Sequence, residues 1–289
     1  MNRKRFFLPN TFIILCIGIW AIKPAPVTSS DRPQSPWLLL EPGLEFGTFS
    51  PPKKSEVGDS LIRVLRIDPR QFKFSLLNAS ASPGGKRLSA REWVRRNGMV
   101  AAINASMYQA DNKTSVSLMK TRGHVNNSWF SKDRSLLAFD PTEPQLPAVQ
   151  ILDRDCQNVP RLRKRYQTLI QSIRMISCNG KNVWSQQKKK WSTAAIGMDR
   201  FGFILFIHVR SPFSTHDLIA NLLKLPLNLK RAMYVEGGSE AQLYIRSGKR
   251  EMEFVGSYST GSNETDANNL AWPIPNVVAI SRIPVPKTQ

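Results

Sequence analysis

A chain of 289 residues, 41% apolar and 21% charged, has material for one large globular domain or two small ones. Lysine and arginine number 41 against 21 aspartates and glutamates, and the net charge of +20 attracts polyanions such as nucleic acid, an anionic membrane surface or a phosphorylated glycan. The sequence has no RNA-binding aromatic signature, zinc spacing or basic recognition helix, which argues against nucleic acid, and its three scattered histidines (His124, His208, His216) build no metal site.

Residues 1–22 read as a signal peptide or an N-terminal membrane anchor, because a basic head over 1–5 precedes an apolar run over 12–22. A small-x-small cleavage pattern is missing, so cleavage and retention both stay open. Either outcome exports the protein, leaving it periplasmic or anchored by residues 6–22. Residues 23–57 are rich in proline and serine and read as a linker with some apolar surface at 37–40.

A globular domain is expected over 58–282, followed by a tail over 283–289. Alternating apolar residues predict strands over 61–68 and 72–77. Ser89-Ala90-Arg91-Glu92 is a capping box that opens a short helix ending at Asn97-Gly98. Strand signals follow over 99–105, 116–119 and 136–139, and a basic segment covers 161–165. Strands over 194–198 and 201–209 flank a turn at Asp199-Arg200. Ser214 caps a helix stopped by Pro226, and strands over 232–235 and 241–245 close the body. Many strands with few helices, not regularly alternating, predict an α+β single domain of mixed, mostly antiparallel sheets with flanking helices. Cys156 and Cys178 are the cysteines outside the export segment, and they are either a disulfide or two unrelated buried thiols.

Three ordered segments carry a family resemblance. They are Ala102-Ile103-Asn104-Ala105-Ser106-Met107-Tyr108, then Ser192-Thr193-Ala194-Ala195-Ile196-Gly197-Met198-Asp199, then Tyr234-Val235-Glu236-Gly237-Gly238-Ser239-Glu240-Ala241-Gln242-Leu243-Tyr244. With Trp272-Pro273-Ile274-Pro275-Asn276 near the end, the chain resembles the phosphodiester glycosidase family over residues 60–282. The resemblance implies hydrolysis of a sugar-1-phosphate diester within a phosphorylated glycan or cell-envelope polymer. No cofactor is expected, and a bound divalent ion stays open. The family usually carries Asp at the position of Glu236, and many of its members have an Arg just before Thr193; here Lys190 is the nearest cation. These departures keep a second reading open, an envelope protein that binds anionic glycan without cleaving it.

The candidate chemistry centres on Glu236, which ends an apolar strand and precedes two glycines. Gly237 and Gly238 let backbone N–H groups approach a ligand, and Ser239 adds a hydroxyl. The plain alternative is a turn whose Glu points into water. Asn104 can hold sugar hydroxyls or bond a nearby backbone turn. The resemblance adds Tyr108, Gln171 and Ser172 as substrate-binding candidates, and Arg174 as the cation facing phosphate. Asp199 is expected as a turn residue rather than a catalyst, and His208, alternating within a strand, as either a satisfied core or rim histidine or a base. A phosphate leaves as a stabilised anion, so one secured carboxylate can suffice where ordinary glycosidases need two.

Overall fold

The strand Ile62–Ile67 buries Ile62, Val64, Leu65 and Ile67 while Arg63 and Arg66 keep partial access to water, the pattern of a strand inside a packed sheet. Such strands dominate the computed structural model, which describes residues 35–284. The expected export segment, residues 23–34 of the linker and residues 285–289 of the tail lie outside the described residues.

In chain order the strands begin with Trp37–Glu41 (β1), Leu44–Phe49 (β2), Ile62–Ile67 (β3) and Phe72–Asn78 (β4). Helix Ala90–Arg96 (α1) leads to Ala101–Asn104 (β5), Met119–Lys120 (β6), Val125–Asn127 (β7), Ser135–Pro141 (β8) and Val149–Asp153 (β9). A short helix, Val159–Leu162 (α2), precedes Tyr166–Arg174 (β10), Trp191–Asp199 (β11) and Ile204–Phe213 (β12). After helix Thr215–Lys224 (α3) come Leu229–Gly237 (β13), Gln242–Ser247 (β14), Arg250–Val255 (β15) and Asn276–Arg282 (β16).

The strands form an 11-stranded sheet with central order β3-β12-β11-β13-β10 and a five-stranded sheet of order β15-β14-β5-β16-β4. Neighbouring strands in these central runs pair antiparallel, in keeping with the expected sheet-dominated mixed fold. The two sheets share one apolar core, to which Phe206, Ile196 and Val235 contribute from one side and Phe74, Ile103, Leu243 and Val278 from the other. Phe74 meets Phe206 edge-on at 6.1 Å, and Phe46 of β2 stacks on Phe254 of β15 at 5.6 Å.

Each outer sheet face has a helix. Leu218, Ile219 and Leu222 of α3 cover Val64, Leu205 and Ile207, and Trp93 and Val94 of α1 cover Ala102, Tyr244 and Val277. The Ser89 capping box of α1 forms as its sequence predicts. The Ser214 cap of α3 and the Asp199 turn also form, with Asp199 Oδ1 accepting from the Phe201 and Phe203 amides.

The linker expectation is corrected at its C-terminal part. Residues 37–49 are not a tether but a hairpin, β1 and β2, paired onto β3. The cause is burial on both faces of β2: Leu44 and Phe46 pack into the shared core and Phe49 joins the Val64 and Leu205 cluster on the other face, which outweighs the neighbouring prolines. The 161–165 segment is also ordered, with Arg165 paired to Glu143 and Arg163 over the Phe130 ring. Cys156 and Cys178 form a disulfide with Cα atoms 5.7 Å apart. No helix among the described residues is long and apolar enough to cross a membrane.

Candidate active site

The site lies where β13 ends. Opposite Ala194 and Ala195 of β11 the register of β13 shifts, so that Ala195 faces Tyr234 while Ala194 faces Glu236. A bulge of this kind re-aims the side chains beside it, and here it is the last step before the two glycines. Glu236 Oε1 accepts the Gly237 amide at 3.0 Å, whereas Oε2 is buried with no hydrogen-bond partner among the described residues. Burial pushes the Glu236 carboxyl up to about 8; the Gly237 bond opposes the shift and the charge of Glu240 adds to it.

The glycine pair has two separate causes. A Cβ at Gly237 would stand 2.1 Å from the Tyr234 hydroxyl and 2.9 Å from Trp191 Cδ1, so only hydrogen fits. Gly238 has φ +67°, the left-handed region that starts the 3₁₀ turn Gly238–Glu240. That turn brings Glu240 back toward Glu236, and burial also raises the Glu240 carboxyl. The turn has a close neighbour in Gly256, where a Cβ would fall 1.9 Å from the Gly238 carbonyl oxygen.

Around the two carboxyls stand Tyr108, Tyr234 and Arg87. Burial, then the charges of Glu240 and Glu236, push the Tyr108 phenol up to about 12, while Arg87 acts on it in the opposite sense and hydrogen-bonds it. The Tyr234 phenol is raised by burial and by the same two carboxyls. Trp184 and Trp191 flank Tyr234 with ring centroids 6.1 and 6.4 Å away.

The other candidates support this constellation from behind. Asn104, at the end of β5, accepts the Gln242 amide at 2.7 Å and donates to the Glu240 carbonyl at 2.9 Å. Ser239 Oγ donates to the Ser257 carbonyl at 3.1 Å, and Ser172 Oγ donates to the Tyr234 carbonyl. Gln171 is buried and donates to the carbonyls of Ser131 at 3.0 Å and Asp133 at 2.7 Å. Ser192, just before Thr193, accepts from the amides of Ser257 and Tyr258 at 2.9 and 3.1 Å. His208 is fully buried, and burial lowers its imidazole to about 3; its Nε2 lies 3.2 Å from the Ala241 carbonyl.

Arg174 is placed differently from its sequence expectation. Its Nη1 lies 3.1 Å from Asp153 and 2.7 Å from Asp155, beside the disulfide segment rather than among the Glu236 neighbours. A guanidinium already held by two carboxylates has its charge compensated, which removes the reason to assign it to phosphate. Sequence reasoning left Glu240, Arg87 and Tyr234 without a role. Glu240 had a readable signal, a second carboxylate four residues after Glu236 across a Gly-Gly turn. Arg87 comes from a distant loop with no local pattern.

A family model described as phosphodiester glycosidase matches residues 97–281. Among solved structures, the chain is similar to the catalytic domain of zebrafish N-acetylglucosamine-1-phosphodiester alpha-N-acetylglucosaminidase, auto-inhibited by its pro-peptide. That likeness has a TM-score of 0.57 at 12% identity, over 83% of this chain and 84% of that one. A hypothetical protein from Synechocystis is similar at TM-score 0.55 and 13% identity, over 86% of this chain and 64% of its own. At these identities the likeness concerns the fold. No curated protein sequence matches the chain.

Proposed function

This chain belongs to the phosphodiester glycosidase family, and from that premise we propose that it hydrolyses a sugar-1-phosphate diester at the sugar C1–O bond. The observation that carries the reading is the Glu236 carboxyl, buried at the mouth of β13 with its pKa pushed up to about 8, beside a second carboxyl. A group with that pKa holds its proton at neutral pH and can give it to the departing phosphate oxygen. Glu240 takes a proton from water as the water oxygen bonds C1 and the C1–O bond breaks. The products are a free sugar and a phosphate monoester. Arg87, which reaches Tyr108 and Glu240, takes the phosphate-facing role first expected of Arg174. Asn104, Ser239 and the glycine pair fix the turn that holds both carboxyls.

The substrate class is a phosphorylated glycan or cell-envelope polymer. The basic head and apolar run of residues 1–22 support export, and the Cys156–Cys178 disulfide suits an oxidising compartment. A second reading, binding of anionic glycan without cleavage, is favoured by one observation: Ser192, at the position where the family resemblance leads one to expect Arg, is spent on backbone amides.

The test is turnover of nitrophenyl phosphodiesters of N-acetylhexosamines and hexoses by the purified chain in heavy-oxygen water. Label in the released sugar is the expected result. Label in the phosphate would make the protein a phosphodiesterase of another type. Saturable binding of all substrates without turnover would establish the second reading.

A further inference from the structure

A cleft of about 650 Å³ is lined by Lys53, Lys54, Lys188 and Lys190, with Glu56 and Asp217 as its carboxylates. Asp217 pairs with Lys53 at 2.9 Å and Glu56 with Lys190 at 2.9 Å. Lys54 Nζ bonds only the neutral Ser50 hydroxyl, and no ion pair engages Lys188 among the described residues. Two of the four ammonium groups thus remain uncompensated in one concave surface, which attracts an anion into it.

A run of contacts links the cleft to the turn between the two carboxyls, beginning with Phe213 of the cleft, which pairs with Trp191. Lys190 exchanges hydrogen bonds with Thr260 at 2.9 and 3.0 Å, and the next residue, Trp191, bridges Ser259. Trp191 is the ring that crowds Gly237, and Ser259 Cβ lies 3.4 Å from the Cβ position of Gly238. A ligand whose reacting C1–O bond sits at Glu236 can therefore extend past Trp191 toward the lysine cleft.

We propose that this lysine cleft is a subsite for a second phosphate of the substrate, so that the preferred substrate is a polymer of repeating sugar phosphates. The inference rests on the proposed hydrolysis at Glu236 and adds what lies beyond the scissile bond. Small phosphodiesters fill the carboxyl site alone, while a polymer also fills the cleft. Selectivity for polymer then appears in KM and falls with salt, because exposed ammonium groups are screened over about 8 Å at physiological ionic strength.

The experiment compares wild type with Lys54→Glu/Lys188→Glu, two exposed positions outside the Glu236 constellation. The probes are a nitrophenyl sugar phosphodiester, a sugar-phosphate polymer, and short-chain inorganic polyphosphate as competitor. The expected result is a KM for polymer raised at least about tenfold at low salt, with the small substrate unchanged. Polyphosphate should compete with polymer in wild type and lose that competition in the variant. Equal polymer KM in both proteins would overturn the subsite. So would a double variant impaired only in binding anionic phospholipid vesicles, since that assigns the cleft to a membrane surface. If wild type turns over no small phosphodiester, the hydrolysis reading falls by itself. Polyphosphate binding to Glu236→Gln with and without the lysine reversals then decides the cleft separately.

Discussion

Asn104 Oδ1 accepts the Gln242 amide at 2.7 Å across 138 residues of sequence, and its Nδ2 holds the Glu240 carbonyl at 2.9 Å. Both halves of the carboxamide grip the strand-turn that carries the second carboxyl. Asn104→Ala leaves a buried N–H and a carbonyl unpaired, at a cost of about 1–3 kcal/mol. Denaturant unfolding should show that loss, and kcat should fall with little change in KM, because the variant moves Glu240 rather than a sugar contact. A large KM rise at undiminished stability would return Asn104 to direct sugar binding.

Glu236 makes folding stability depend on pH. Its folded pKa, about 8, stands above the ordinary 4.5, so between these values the folded chain holds a proton that the unfolded chain releases. The stabilising contribution is complete below 4.5 and is lost as pH rises through 8. At about 1.4 kcal/mol per unit, a shift of that size is on the order of 5 kcal/mol. Glu236→Gln removes the titration, so the variant should gain stability over wild type most clearly above pH 8. Parallel unfolding curves at pH 5 and 9 measure this, and an unchanged pH slope in the variant would refute it.

The same proton sets the rate profile. With Glu236 as proton donor, kcat/KM should decline as pH rises through about 8, and Glu236→Gln should lower it by about 10²–10⁴-fold. Glu240→Gln should also be inactive, since water then has no acceptor for its proton. Wild-type turnover by a folded Glu236→Gln protein would end this assignment.

Arg174 compensates Asp153, a carboxylate whose side chain is only 1% exposed. Removing one partner of a buried ion pair costs about 3–5 kcal/mol. Arg174→Ala should therefore lower the thermal midpoint markedly while the folded fraction keeps its KM for small phosphodiesters. A raised KM at an unchanged midpoint would return Arg174 to phosphate binding.

The Cys156–Cys178 bridge spans 22 residues, and closing such a loop contributes about 3 kcal/mol in the chain-entropy model. It also ties the Asp155 segment to the chain just beyond Arg174. The double Cys→Ser variant should unfold at lower denaturant with kcat intact. Equal stability of oxidised and reduced protein would contradict this.

The elements written as local patterns were legible in the sequence. The Ser89 box, the Ser214 cap, the Asp199 turn and the strand ending at Glu236 each depend on a few neighbouring residues. The β1–β2 hairpin was missed because it lies between proline- and serine-rich stretches that resemble a tether, while its pairing with β3 is non-local. Arg174 looked free because its partner Asp153 lies 21 residues earlier and meets it only across the fold. Glu240 went unassigned because its return toward Glu236 depends on the left-handed φ of Gly238, which fixes a direction that residue spacing alone does not give. Arg87 reaches the site from a loop with no periodicity at all.

Gly256 has a bearing on the history of this chain. A Cβ there would fall 1.9 Å from the Gly238 carbonyl oxygen, so even the smallest side chain collides with the turn between the two carboxyls. Positions 238 and 256 therefore cannot drift separately. A lineage that replaced this glycine would first have to rebuild the turn, and with it the spacing of Glu236 and Glu240. A residue 18 positions downstream of Gly238 thus belongs to the motif's inheritance, and saturation mutagenesis at 256 should recover glycine alone among active clones.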